Sequence, residues 1–229
     1  MQPLPASTQE QPEGASPGWA AYVAPMAAFV LLTQLEPRSG AAYPWLYTAK
    51  IALVAGLMTV FRRAWRDARP RPGALLPGIL VGLAVFAEWV LIERFVPYPR
   101  LGARTGFNPF QAIQDPLQRG AFLAARFWGL VLLVPLMEEL FWRSFLLRWL
   151  SRPQFNGVPI GEFTWGAFWL VAAGFALAHP EWLPALICAV AYGLLLRRTR
   201  SLYACVVAHS VTNLALGAHV VATGAWHLW

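Results

Sequence analysis

Two adjacent carboxylates, Glu138 and Glu139, end a strongly apolar run, and Arg143 follows four residues after the second. Between Ala121 and Met137 this run carries one charge, Arg126. A charged side chain near the membrane centre costs roughly 2.5 to 3.5 kcal/mol on insertion scales, so the pair needs a partner or a protonation change. Arg143 is within i,i+4 reach of Glu139 on a helix and is the predicted partner. The alternative is that Glu139 and Arg143 have no catalytic role and form a snorkelling pair at the polar end of a membrane helix.

Two histidines and an asparagine also lie within or between apolar runs. His209 and Asn213 are four residues apart and so project from one helix face, and Phe175 and His179 repeat that spacing on another segment. A buried histidine alone is explained by an interhelical hydrogen bond. Ionisable groups on three separate membrane segments together indicate a site, because such groups inside a membrane are functional by default.

The chemistry that these residue types support is hydrolysis. A carboxylate in a low-dielectric site can act as general base towards water, and a histidine can share the proton or orient that water. A second histidine and an amide can donate to an oxyanion, which is worth about 3 to 4 kcal/mol for one good donor. The same glutamates and histidines can alternatively bind a divalent metal such as zinc. A paired-aspartate mechanism is excluded, since the two aspartates, Asp67 and Asp115, lie in connectors.

The composition is that of a multi-span membrane protein. Hydrophobic residues make up 58% of the chain and charged residues 13%, where soluble domains have roughly 25% charged residues. The net charge of +7 comes from arginines in short connectors, with Lys50 as the single lysine. This pattern indicates membrane topology, and no nucleic acid is predicted as a partner.

Seven apolar segments predict the elements that must hold these side chains. They span residues 19–35, 45–61, 74–92, 121–150, 163–178, 183–196 and 202–217. The predicted fold class is therefore all-α, a polytopic transmembrane helical bundle. Residues 1–18 are predicted to be a disordered polar tail, and 19–229 a single transmembrane domain with its motif-bearing core at 121–217. The segments flanking His179 reach only about 21 to 24 Å, which predicts a short re-entrant hairpin.

The arginine-rich connectors predict the orientation. Residues 62–73 and 197–200, with the exit of the fourth segment at Arg148, are expected in the cytoplasm, together with the N-terminus. Glu138 is ten residues before Arg148, hence about 15 Å inside the membrane, and His209 is about 13 Å inside. The candidate residues are thus predicted to share a depth in the cytoplasmic half.

Three ordered motifs on successive segments resemble those of the CAAX protease and bacteriocin-processing family, which includes type II CAAX prenyl endopeptidase-like proteins. They are Glu138-Glu139-x-x-x-Arg143, Phe175-x-x-x-His179 and His209-x-x-x-Asn213. The resemblance covers roughly residues 121–217. It implies a helical intramembrane glutamate protease with a water-filled cavity open towards the cytosol.

The resemblance also implies roles for these residues. Glu138 and His179 would activate the water, and His209 and Asn213 would bind the oxyanion. Glu139 would anchor the site together with its motif arginine. Metal dependence stays open: if zinc is used, Glu138, His179 and His209 are the expected ligands, and no other cofactor is expected.

Two classes of function follow. The first is an endopeptidase of the bacterial inner membrane that acts on a membrane-associated protein or peptide within the lipid bilayer. The small size of the chain suits the exosortase-associated bacterial subgroup. The second is a non-catalytic membrane protein, a proton-coupled transporter or a scaffold, that uses the same buried polar cluster.

Overall fold

The computed structural model describes residues 17–35, 40, 42–102 and 106–228, and these ranges contain helices and connectors but no strand. The all-α prediction is confirmed. Residues 1–16 of the predicted tail lie outside the described ranges. The helices are α1 (Ala20–Leu35), α2 (Tyr43–Val60), α3 (Pro72–Phe95), α4 (Pro109–Ala112), α5 (Pro116–Ser151), α6 (Trp165–Leu177), α7 (Trp182–Thr199) and α8 (Leu202–Thr223).

Local sequence signals set several helix ends. The side chain of Asp115 accepts a hydrogen bond from Gln118 N at 2.7 Å and so caps α5, whose first residue is Pro116. Thr164 caps α6 in the same way through Ala167 N at 3.3 Å. α8 stops at Gly224, which adopts a left-handed φ of 73°.

The helices are those of an integral membrane protein. α3, α5, α7 and α8 are long and apolar enough to cross a membrane, and α2 is a fifth span if it is counted with the 3₁₀ segment Arg62–Ala68, which bends away by 83°. Seven full spans are not confirmed. α1 and α6, with 16 and 13 residues, reach only about 24 and 20 Å, less than the roughly 30 Å hydrocarbon core.

α5 is a single helix of 36 residues, which confirms the prediction of one long helix carrying the glutamate pair. Its course is interrupted by two π-helical segments, Gly129–Leu133 and Leu140–Leu146. Such segments inside α-helices are frequent at functional sites.

α3 and α8 run side by side in close contact. A Cβ atom at Gly82 would lie 2.5 Å from the carbonyl oxygen of Ala208, so only glycine permits this approach. Thr212 Oγ1 donates to Gly82 O at 2.8 Å and accepts from Tyr192 OH at 2.8 Å. These bonds fix α8, and with it His209, against α3 and α7.

The arginine-rich connectors meet at one end of the bundle. Arg71 Nη1 donates to the carbonyl oxygens of Thr199 and Arg200 at 3.4 and 3.2 Å. Arg200 pairs with Glu162 at 2.9 Å. This common end agrees with the predicted placement of these connectors on one side of the membrane.

Asp67 joins this end to α5. Its Oδ2 accepts from Tyr22 OH at 2.8 Å, from Ser144 Oγ at 2.5 Å and from Arg148 Nη2 at 2.8 Å. Arg148 also donates to Val158 O at 3.2 Å. Asp67 therefore holds the first arginine-rich connector against α1 and against the C-terminal part of α5.

The opposite, arginine-poor end contains the turn after α6. Trp182 Nε1 donates to Pro99 O at 2.7 Å, and Leu101 N donates to Pro180 O at 3.0 Å. The rings of Phe110 and Trp226 lie 5.9 Å apart at the same end. The connector after α3 thus holds the turn that carries His179. The re-entrant course of this hairpin stays a prediction.

We expect the two ends to face opposite sides of the membrane. Arg69→Cys, at an exposed position of the arginine-rich end, should react with a membrane-impermeant maleimide only after cells are permeabilised. Leu117→Cys, 82% exposed at the other end, should react in intact cells. The unmodified chain is the control, because its two described cysteines are buried. Labelling of both variants from the same side would contradict this topology.

Candidate functional site

α5 presents a row of side chains to one cavity, at every fourth position: Arg126, Leu130, Val134, Glu138 and Trp142. On a regular α-helix four residues turn through about 400°, so such a row drifts by about 40° per step and about 160° over its length. A π segment has more residues per turn, which reduces this drift. The two π segments of α5 therefore keep the row facing the cavity.

The cavity has a volume of about 630 Å³ and brings together four of the six predicted site residues. Glu138 enters from α5, His179 from the turn after α6, and His209 and Asn213 from α8. Much of the remaining wall is apolar or aromatic. Such a mostly apolar pocket with a few converging polar groups is the usual form of a ligand site.

Glu139 lies behind this wall and is fully buried. Its Oε1 accepts from Arg143 Nη1 at 3.1 Å, which confirms the predicted i,i+4 pair, and from His209 Nδ1 at 2.9 Å. Arg143 is 2% exposed, and its guanidinium lies 4.4 Å from the centre of the Phe175 ring. The second glutamate thus ties together α5, α6 and α8.

His179 is oriented by α6, the helix that precedes it. Its Nδ1 donates to Phe175 O at 2.7 Å, and the two rings lie 4.5 Å apart with an angle of 31°. With the Nδ1 proton in this bond, the neutral ring presents Nε2 as an acceptor. The spacing Phe175-x-x-x-His179 therefore supplies both the carbonyl and the ring that position the histidine.

Asn213 makes a bond that the sequence did not predict. Its Nδ2 donates to Leu130 O at 2.9 Å. Val134 N bonds to Gly129 O in the π segment, and Pro135 has no N–H, so neither residue supplies the donor that Leu130 O would receive within α5. Asn213 fills this position, and Pro135 was the signal in the sequence.

The candidate metal ligands do not form a common coordination site. Among the described residues, no group of three or more His, Cys, Asp or Glu side chains is arranged to hold a metal ion. Glu138, His179 and His209 line the same cavity, but they are not gathered into such a group. This arrangement does not fit the zinc site expected as an alternative.

The cavity extends towards the arginine-poor end. Its lining includes Leu101, Gly102, Pro180 and Leu228, and none of the residues of the arginine-rich connectors 62–71, 148–161 and 197–201. The family resemblance implied a cavity open to the cytosol, which is the side predicted for the arginine-rich connectors. The turn after α6 and the connector after α3 line this part of the cavity. The side of the membrane towards which the cavity opens stays a prediction.

Residues 120–215 match the family model of the type II CAAX prenyl endopeptidase Rce1-like proteins. This part of the chain is similar to the Rce1-like family. The family is one of proteases. The Rce1-like segment contains all six candidate residues, from Glu138 to Asn213, and agrees closely with the predicted core at 121–217. No curated protein and no solved structure matches the chain.

The Rce1-like segment does not build the cavity alone. α1, α2 and α3 contribute Phe29, Lys50 and Trp89 to its wall. These helices precede the matched residues and carry no motif in the sequence, so their part in the site was not predicted.

We expect Glu139→Gln to destabilise the protein strongly, because it leaves Arg143 buried without its carboxylate. Removing one partner of a buried pair costs about 3 to 5 kcal/mol. Glu162→Gln is the matched control: it breaks a pair whose side chains are 51% and 52% exposed, which is worth less than about 1 kcal/mol. Unfolding in detergent measures both, and equal midpoints for the two variants would contradict the anchoring role of Glu139.

Proposed function

We propose that the protein is an intramembrane endopeptidase that hydrolyses a peptide bond of a membrane-associated protein or peptide. The observation that carries this proposal is the convergence of Glu138, His179, His209 and Asn213 on one cavity inside an apolar bundle. The Rce1-like match of the same segment supports it. A transporter or scaffold has no comparable support.

Glu138 is the proposed general base. It takes a proton from a water molecule, whose oxygen attacks the carbonyl carbon of the scissile bond, and the proton passes to the leaving amine. His179, with its Nδ1 bonded to Phe175 O, accepts at Nε2 and orients the water. A low-dielectric, mostly apolar cavity strengthens both interactions.

His209 and Asn213 are the proposed oxyanion donors. This role requires the imidazolium form of His209, in which Nδ1 donates to Glu139 and Nε2 carries a second N–H. The Asn213 amide has two N–H donors, and the bond to Leu130 O uses one. Donors fixed in this way stabilise the developing oxyanion without reorganisation during the reaction.

Glu139 and Arg143 are proposed as positioning residues. They do not line the cavity, and Glu139 acts through the imidazole that it holds. Placement in a bacterial inner membrane, a cytoplasmic depth for the site and membership of the exosortase-associated subgroup stay predictions.

Glu138→Gln keeps the size of the side chain but removes the base, so we expect peptide cleavage to fall by about 10² to 10⁴-fold. The unfolding midpoint should stay near that of the unmodified protein. Mass spectrometry of membrane proteomes from cells with either form should reveal uncleaved substrates that accumulate with the variant.

Glu162→Gln serves as the control and should process these substrates normally. Normal processing by Glu138→Gln, with loss of processing in a folded Glu139→Gln protein, would reverse the roles of the two glutamates. Proton-coupled flux in liposomes that depends on Glu138, without cleavage, would favour the transporter instead.

Cleavage is expected to survive removal of metal ions, since the candidate ligands are not gathered into one coordination site. The protein is dialysed against a chelator, its metal content is measured by elemental analysis, and cleavage of an identified substrate is followed. Loss of cleavage that added zinc restores would contradict this expectation and assign a metal to Glu138, His179 and His209.

A further inference from the structure

The connector between α2 and α3 begins with a 3₁₀ segment, Arg62–Ala68, that lies outside the proposed catalytic group. It bends away from α2 by 83° and so runs nearly at right angles to this helix. Arg71, which follows the segment, donates to Thr199 O and Arg200 O, where α7 ends. The segment therefore lies across the end of the bundle, at the level where apolar membrane helices begin and end.

The segment has three rows of side chains, because a 3₁₀ helix has three residues per turn and positions i and i+3 eclipse each other. The inner row is Ala64 and Asp67. Ala64 is 1% exposed, and Asp67 bonds to Tyr22 of α1 and to Ser144 and Arg148 of α5. This row fastens the segment to the bundle and determines which rows face outwards.

The two outer rows are Arg62 with Trp65 and Arg63 with Arg66. All four side chains are exposed, Trp65 by 40%. The side chains of Arg62 and Arg63 make no hydrogen bond or ion pair with any residue that the structure describes. Arg66 makes one hydrogen bond, from Nε to Arg63 O at 3.0 Å, which leaves its other N–H donors available. Asp67, the one acid of the segment, is in the inner row, so the outer rows carry positive charge alone.

Two arginines of the neighbouring connector are instead used within the protein. The guanidinium of Arg197 lies 4.5 Å from the centre of the Trp165 ring, and Arg200 pairs with Glu162 at 2.9 Å. The guanidinium groups of the 3₁₀ segment have no such partners and can bind a ligand from outside the protein.

Phosphate at the surface of a bilayer is the group that the outer rows fit. Guanidinium groups bind phosphate oxygens through paired hydrogen bonds. Tryptophan favours the headgroup level of a bilayer, and basic residues beside membrane helices attract anionic lipids. Trp65 and the three arginines meet these conditions on one short segment that crosses the end of the bundle.

We propose that the outer rows of Arg62–Ala68 bind the headgroups of anionic phospholipids in the leaflet at the arginine-rich end. The inference does not depend on the proposed function. Because Asp67 bonds the segment to α1 and α5, bound lipid also stabilises the contact of these helices at this end.

Native mass spectrometry of the delipidated protein in a neutral detergent, titrated with phosphatidylglycerol or phosphatidylcholine, measures this binding. The unmodified protein should bind phosphatidylglycerol more tightly. Arg62→Gln and Arg63→Gln should each weaken phosphatidylglycerol binding about fivefold, and together about 25-fold, since each cation near an anionic surface contributes about this factor. The binding of phosphatidylcholine should stay unchanged.

Arg94→Gln is the matched control, since it removes one exposed cation of α3 near the arginine-poor end and should retain the preference. Arg62→Lys and Arg63→Lys keep the charge and should retain most of it. In phosphatidylcholine nanodiscs the glutamine variants should unfold at the same temperature as the unmodified protein, and in phosphatidylglycerol nanodiscs at a lower one. An unchanged preference in the double glutamine variant would overturn the proposal. Equal weakening for both lipids would overturn it too, because it indicates a structural role.

A soluble phosphate ester and an acidic protein are the competing ligands. Glycerol phosphate and polyglutamate are therefore each added at the same molar concentration as bound phosphatidylglycerol. Displacement of the lipid by glycerol phosphate would assign the outer rows to a free phosphate ester, and displacement by polyglutamate would assign them to an acidic protein. Either result would overturn the proposal, and retention of the lipid in both cases supports it.

Discussion

The structure depends on compensating the charge of one carboxylate in an apolar bundle. Glu139 is fully buried and is bonded to both Arg143 and His209. A buried carboxylate needs such partners because its desolvation is otherwise several kcal/mol unfavourable. The partners lie on α5 and α8, and the guanidinium packs on Phe175 of α6. The same interaction therefore holds the three elements that carry the candidate site residues.

With Glu139 used in this way, Glu138 is left to face the cavity. Neighbouring residues on a helix point about 100° apart, so one adjacent pair supplies a wall residue and an anchor. The π segments extend this division along α5, because they keep Arg126, Leu130, Val134 and Glu138 on the cavity side. Local helix geometry thus directs the proposed base into the cavity.

The sequence predicted those features that follow from hydrophobicity and short-range spacing. The helical bundle, the long α5 helix and the Glu139–Arg143 pair depend on residues a few positions apart, and each is confirmed. The seven predicted membrane segments are not all confirmed as spans, because α1 and α6 have only 16 and 13 residues.

Long-range contacts were not predictable in this way. Nothing in the spacing indicates that Asn213 bonds to Leu130 O, although Pro135 marks a carbonyl without its helical donor. Asp67 looked like a connector acid and instead bonds to Tyr22, Ser144 and Arg148. The direction of the cavity depends on how the connector after α3 folds against the turn after α6. Each of these contacts joins residues far apart in the chain. The spacing of residues in a single sequence does not show which distant positions meet.

The central claim is that Glu138 is reached from the cavity while Glu139 is sealed behind it. Carbodiimide labelling of the folded protein, mapped by mass spectrometry and followed against peptide cleavage, tests this claim directly. Glu138 should be labelled well before Glu139, and cleavage should fall in proportion to the label on Glu138. Earlier labelling of Glu139, or full cleavage by protein whose Glu138 is completely labelled, would contradict it.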